Sequence, residues 1–209
     1  MKIYSKVFVI LLTFFVAACA GVSGLNVPED YQLSASSGNG LVLFSVSENC
    51  PSNMSIKVRE VGKNSGILIA VDQSGAIRPT DIQWENPCGR LFVLEGHSGR
   101  FEIFSFVSFY NPSSSKNSNA YEPDPKYTLV KEVKNSYERP PLSDLYVVEP
   151  TSHFSISFEI VPGKVTYVGR IHFEHLHAMA ITRVYLASEK DTDIALFRKM
   201  YPQFYDISL

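Results

Sequence analysis

The chain has 209 residues, 45% of them hydrophobic, and a formal charge of −2. That is enough for one domain of normal size with a real core. The mild acidity excludes the basic footprint that nucleic acid needs, so no nucleic-acid partner is expected, and no polybasic segment is present to strengthen binding to anionic lipid.

In chain order the first element is an export signal. Lys2 and Lys6 precede an apolar run from Val7 to Val16, and small residues follow at Ala17, Ala18, Ala20 and Gly21. A spanning helix needs about 20 apolar residues. Val7 to Ala20 falls short of that, so a retained membrane helix is the weaker reading. Val16-Ala17-Ala18-Cys19 resembles the lipobox of bacterial lipoprotein precursors. The resemblance implies that a diacylglycerol alkylates Cys19, that residues 1–18 are cut away, and that the new amine is acylated, for example with palmitate. Several acyl chains on one Cys exceed the marginal grip of a single myristoyl group. The rival is Ala18-Cys19-Ala20, which also suits the ordinary signal peptidase and would release a soluble protein after Ala20. The lipid anchor is preferred because Cys is uncommon and sits where apolar meets small. By analogy with other lipoproteins, Ala20 rather than Asp after Cys19 favours the outer membrane, facing the periplasm, if the organism is a diderm.

Residues 19–40 read as the lipidated Cys followed by a flexible tether of Ser, Gly, Asn and Ala, with Pro28 and Glu29-Asp30, and residues 41–209 as the domain. Such a tether spans on the order of 25 Å. The remaining cysteines, Cys50 and Cys88, are expected to be joined, because an exported protein lives in an oxidising compartment. A bridge there contributes roughly 3–4 kcal/mol. Two separately buried thiols are the alternative, and a metal site on either is weaker still for want of neighbouring ligands.

Strand signals then follow at short spacing. Leu41 to Val46, Ser55 to Val61, Ile67 to Val71 and Arg90 to Leu94 are rich in Val, Ile, Leu and Phe and are separated by Asn64-Ser65-Gly66, Gln73-Ser74-Gly75 and Asn86-Pro87-Cys88-Gly89. Leu91 to Phe109 reads as a hairpin turning at Gly96-His97-Ser98-Gly99. In its second strand, plain alternation puts Phe101, Ile103, Ser105, Val107 and Phe109 on one face, with the middle buried on both. Asn111 to Pro125 reads as a long polar loop, Tyr127 to Val133 as a short strand, and Lys134 to Thr151, with its prolines, as irregular. His153 to Val161, Lys164 to His177 and Ala180 to Ala187 complete the strands. The first of these alternates with Phe154, Ile156, Phe158 and Ile160 on one face, and the second runs back through Val165, Tyr167, Gly169, Ile171, Phe173 and His175. A short helix follows, capped by Asp191, with Ile194, Phe197 and Tyr201 on its apolar face and Pro202 ending it. The fold class expected is all-β, an antiparallel β-sandwich of about eight strands with one short C-terminal helix.

The elements Leu94-Glu95-Gly96-His97-Ser98-Gly99-Arg100-Phe101 and Phe158-Glu159-Ile160-Val161-Pro162-Gly163-Lys164-Val165-Thr166-Tyr167-Val168-Gly169-Arg170-Ile171, with Tyr201-Pro202, resemble uncharacterised bacterial lipoproteins that carry a small prealbumin-like β-sandwich. The resemblance covers about half of the chain beyond the signal, and its motifs describe turns and packing. It implies a fold and a compartment, and no established activity.

Candidate chemistry is sparse. His172-Phe173-Glu174-His175-Leu176-His177 offers His172, His175 and His177 as metal ligands, since His-x-His puts two imidazoles on one strand face, with His153 or Glu159 as a further donor. A polar strand end facing water is the plainer reading. Gly96-His97-Ser98-Gly99 lacks the spacing and the following helix of a nucleophile elbow. Trp84 reads as packing near the cysteine pair. The loop tyrosines Tyr121, Tyr137 and Tyr146 offer a contact surface for protein or glycan, or else cover the ends of the sandwich. No catalytic residues and no cofactor are expected. The expected function is a non-enzymatic envelope lipoprotein that binds a protein partner or supports an assembly, with small-ligand or metal binding through the histidines as the alternative.

Overall fold

A computed structural model describes residues 27–48, 53–70, 90–110, 126–141, 144–176 and 179–204. The expected signal at residues 1–18, Cys19, Cys50, Trp84, Cys88, Tyr121 and His177 lie outside the described residues. The strands are β1 (Asn39–Glu48), β2 (Asn53–Glu60), β3 (Ile67–Ala70), β4 (Arg90–His97), β5 (Gly99–Tyr110), β6 (Thr128–Glu138), β7 (Tyr146–Pro150), β8 (Ile156–Ile160), β9 (Val165–Leu176) and β10 (Ile181–Ala187). One helix, α1 (Lys190–Met200), follows them.

The chain is thus mostly β with one short C-terminal helix, and its sheet is curled and mixed. Strand order is β3-β2-β5-β7-β6-β10-β9-β1-β4, with β8 also beside β5. The expectation of a purely antiparallel arrangement fails at β1 and β9, which run parallel from Leu41 opposite Val165 to Glu48 opposite Phe173. The cause is the turn at Pro162-Gly163. It brings Lys164 to the start of β1, where Leu41 N–H donates to the Lys164 carbonyl and Gly163 N–H donates to the Asn39 carbonyl. Gly163 has φ 68°, and a Cβ there would lie 2.7 Å from the Cβ of Ala35.

β4 and β5 are not a hairpin. β4 pairs with β1, whereas β5 pairs with β2, β7 and β8, so the bend at Ser98 is a corner that carries the chain from one layer to the other. On the far side β6 joins the layers: Thr128 to Lys134 pair with β10, and Asn135 to Glu138 pair with β7. The result is a half-barrel. β7 and the end of β6 occupy the stretch expected to be irregular. Pro150, opposite Asn135, closes β7 where a missing N–H costs least.

Two cores lie on the two faces of the sheet. The inner one gathers Val42, Phe44 and Val46 of β1, Ile56 of β2, Phe101, Ile103 and Phe106 of β5, Phe158 of β8, Ile171 and Phe173 of β9, and Val184 of β10. The outer one holds Leu41, Leu43, Leu91, Val93 and Val165 against Ile194, Leu196 and Phe197 of α1, with Tyr201 and Phe204 beyond it. β9 serves both because its register against β1 shifts between Leu43 and Phe44, which leaves Val168 as an extra residue. Val165 and Tyr167 therefore face outward with the helix, while Ile171, Phe173 and His175 face inward. A similar shift at Phe104 reverses β5, and its middle is buried on both faces as expected.

The outer face also holds residues 27–38, expected to belong to a tether. Val27 is buried, its N–H donates to the Val93 carbonyl, and its own carbonyl accepts from the Tyr201 hydroxyl at 2.8 Å. Gln203 Nε2 donates to the carbonyls of Glu29 and Tyr31. The ordered domain thus includes residues on both sides of the expected boundary at Leu41.

α1 begins two residues earlier than expected, after Glu189, whose side chain makes no capping bond. Its positioning instead comes from Asp193, which is fully buried in the first turn. Asp193 accepts from Ser45 Oγ at 2.7 Å, the Tyr167 hydroxyl at 2.8 Å and Arg170 Nη2 at 2.7 Å. A carboxylate near the N-terminal end of the dipole is favourable, and four groups share this site in good geometry. Removing one partner of a buried ion pair strands the other charge and costs about 3–5 kcal/mol. Arg170→Ala is therefore expected to lower Tm by roughly 10 °C. Asp193→Asn added to Arg170→Ala should recover part of that loss, because it removes the stranded charge. Thermal melts of the single and double variants test this; equal loss in the two would show that the charge is not the cause.

Candidate functional site

The inner face of β5, β6, β7, β9 and β10 continues past the core to one end of the half-barrel. Val133 belongs to the core, so Asn135 and Tyr137, two and four residues on, point to the same side of β6. Ser108 of β5 and Val148 of β7 stand opposite each other and are fully buried. Tyr110 and Tyr146, the next opposite pair outward, share their face, and Tyr137 stands opposite Val148. Three tyrosines thus stand as a rim on one face of three adjacent strands.

Beneath the rim lies a polar chain. Asn135 Nδ2 donates to Thr182 Oγ1 at 2.8 Å and to the Met179 carbonyl at 2.5 Å. Thr182 Oγ1 lies 2.9 Å from His175 Nδ1. Thr182 is fully buried and His175 nearly so. Met179 has φ 70°, a conformation uncommon for a side-chain-bearing residue, and its carbonyl is held by Asn135. Among the described residues Asn135 Oδ1 is a buried acceptor without a hydrogen-bond partner, which costs about 1–3 kcal/mol.

The rim is uncharged at its centre. Tyr137 is 41% exposed, and partial burial with Tyr110 nearby pushes its hydroxyl up to about 12, so it stays a neutral donor. Arg139 flanks Tyr146 with its guanidinium 5.9 Å from the ring centroid and is paired with Asp144. Of the binding tyrosines expected from sequence, Tyr137 and Tyr146 are brought together. Tyr110, Asn135 and Thr182 were missed, and the available signal was the alternation from Ser108 and Val133, hidden by the shift at Phe104.

The histidines separate. His175 faces the interior, with its ring 5.9 Å from Phe106, whereas His172 faces outward, where Nδ1 lies 2.9 Å from Ser47 Oγ. Their odd spacing on a strand puts them on opposite faces. His153 and Glu159 are exposed, and His153 packs edge-on against Phe104 at 5.2 Å. Among the described residues no group of three or more His, Cys, Asp or Glu side chains converges to hold a metal ion. His97, at the β4–β5 corner, lies 4.0 Å from Glu60 and edge-on to Phe101.

No protein-family model matches the sequence, and no match emerges among curated proteins or solved structures.

His172 is flanked by Ser47, Tyr127, Arg170 and Tyr185. Burial, then the charges of His175 and Arg170, lower its pKa from 6.5 to about 4. In the unfolded chain it takes up a proton as pH falls through 6.5, while in the fold it does not until about pH 4. Stability is therefore undiminished above pH 6.5 and declines as pH falls toward 4, by up to about 3 kcal/mol. Denaturant melts at pH 7 and 5 should show this loss, and His172→Gln should flatten it; an unchanged slope in the variant would assign the acid sensitivity elsewhere.

Proposed function

We propose that this chain is a lipoprotein of the cell envelope, held to a membrane through lipidated Cys19, in the outer membrane facing the periplasm where the organism is a diderm. Its half-barrel is a non-catalytic module that binds a protein partner or supports an assembly. The observation that carries the binding reading is the rim of Tyr110, Tyr137 and Tyr146. Tyrosine offers a large rigid face and a hydroxyl at little entropic cost, which is why it is enriched at interfaces. The anchor is supported by the lipobox-like Val16-Ala17-Ala18-Cys19, and the module it would hold begins at the docked Val27. Residues 20–26 are all that separate it from Cys19, a reach of at most roughly 25–30 Å, so the module stays close to the bilayer. The Cys50–Cys88 bridge and the prealbumin-like likeness belong to the same proposal. The likeness is supported by two layers around one inner core with a single helix behind them.

A second reading, small-ligand or metal binding, has one observation in its favour: the chain of Asn135, Thr182 and His175 under the rim. A metal set would have to be built on the His175 side, because His172 faces away.

Intact-mass measurement of membrane-extracted protein should find a diacylated and acylated polypeptide beginning at Cys19, and Cys19→Ser should release the domain from membranes. A lipid-free polypeptide beginning at Gly21 would overturn the anchor. A photoreactive residue at position 137 should crosslink an envelope partner in intact cells, and Tyr110→Ala should weaken that capture.

A further inference from the structure

We infer that residues 27–33 form a strap latched by Tyr201 and Gln203, and that this strap opens and closes while the sheet stays folded, giving the chain between Cys19 and the half-barrel two lengths. The two lengths rest on the lipid anchor proposed above, whereas the opening itself is a property of the fold.

Three features set the strap apart. First, no ladder joins it to the sheet. β1 is paired with β4 on one side and β9 on the other, whereas among the described residues the Val27 N–H is the only strap amide that donates to another element, to the Val93 carbonyl at 2.9 Å. Second, most of the hold comes from two side chains. The Tyr201 hydroxyl donates to the Val27 carbonyl at 2.8 Å, and Gln203 Nε2 donates to the carbonyls of Glu29 at 2.7 Å and Tyr31 at 3.0 Å. Burial, with the charge of Glu29 after it, pushes the Tyr201 hydroxyl up to about 12, so it remains a donor. A further bond runs from the Tyr31 hydroxyl to Glu95 of β4. Third, little apolar surface is covered. Val27 alone is buried, Tyr31 and Leu33 are half-buried, and Pro28, Glu29, Asp30 and Gln32 are exposed. A segment with few buried contacts and no strand ladder opens at a lower free energy than the core beneath it.

The opening stops at Ser34, because the next residues are held on their own account. Ser34 Oγ accepts from the Ser36 N–H and caps the one-turn 3₁₀ helix Ala35–Ser37, Ala35 packs against Gly163, and the Gly38 carbonyl accepts from the Ser98 N–H at 3.1 Å. With the latch closed, residues 20–26 link Cys19 to the first held residue. With it open, residues 20–33 do so, and the reach doubles to at most roughly 45–50 Å. The latch therefore sets how far the half-barrel can stand from the bilayer.

The full chain, purified in detergent, is treated with chymotrypsin under native conditions and the fragments are followed by mass. Cleavage after Tyr31 is expected at a rate that changes little with urea below the unfolding midpoint, while cleavage within β9 waits for global unfolding and rises steeply. Tyr201→Phe, which keeps the ring, and Gln203→Ala, at an exposed position, should each speed cleavage after Tyr31 about tenfold, the effect of one lost hydrogen bond, with an unchanged far-UV spectrum. Ile56→Val, in the inner core, should speed cleavage within β9 and leave the strap rate unchanged. A strap rate that follows β9 in urea and in Ile56→Val, or one indifferent to both Tyr201→Phe and Gln203→Ala, would overturn the inference. A chain without lipid whose strap still opens overturns the anchor and the two lengths but keeps the latch; a lipidated chain whose strap opens only with the sheet overturns the latch and keeps the anchor.

Discussion

The register shift on β9 is the constraint on which the arrangement depends. Plain alternation would put Tyr167 and Arg170 on opposite faces of the strand. The extra residue at Val168 brings both to the outer face, where they reach one carboxylate, Asp193. The same shift turns Ile171 and Phe173 inward, so a single strand completes the inner core and the seat of the helix. Gly169, at φ 132°, sits where a Cβ would come within 2.9 Å of Leu186. A glycine is thus required at the point where β9 changes allegiance.

Asp193 shows how a local signal can have a distant use. An acidic residue in a first helical turn ordinarily answers the dipole. Here it also binds Ser45 and Arg170, which stand opposite each other on β1 and β9. The burial of Tyr167 and its bond to Asp193 hold its hydroxyl well above the usual range, so it remains a donor. Helix position is therefore set by polar contacts at its start and by Ile194, Leu196 and Phe197 along its length.

Much of the strand content was legible because Val, Ile and Phe alternate between turn clusters, as in β8, where buried and exposed residues alternate throughout. The helix was legible from Ile194, Phe197 and Tyr201, all buried. Pairing was not legible. Nothing local distinguishes a corner at Ser98 from a hairpin, since both need small residues, and the parallel partnership of β1 with β9 is decided by contacts across more than half the chain. Tyr137 and Tyr146 were legible as candidates, but their meeting depends on β6 and β7 pairing through a proline-containing stretch. His172 and His175 illustrate the reverse: near neighbours in sequence, they are separated by the sheet itself.

The clasp between Val27 and Tyr201 has a mechanical meaning. Val27 is tied to the middle of β4 by one backbone bond and to the end of α1 by the Tyr201 hydroxyl, with Gln203 gripping the next residues. Tension arriving along the chain at Val27 is shared at once between an edge strand and the C-terminal segment, two elements far apart in sequence. Neither can peel away alone. Pulling from the N-terminal side loads the helix seat, and through Asp193 it loads β1 and β9, the strands at the centre of that layer.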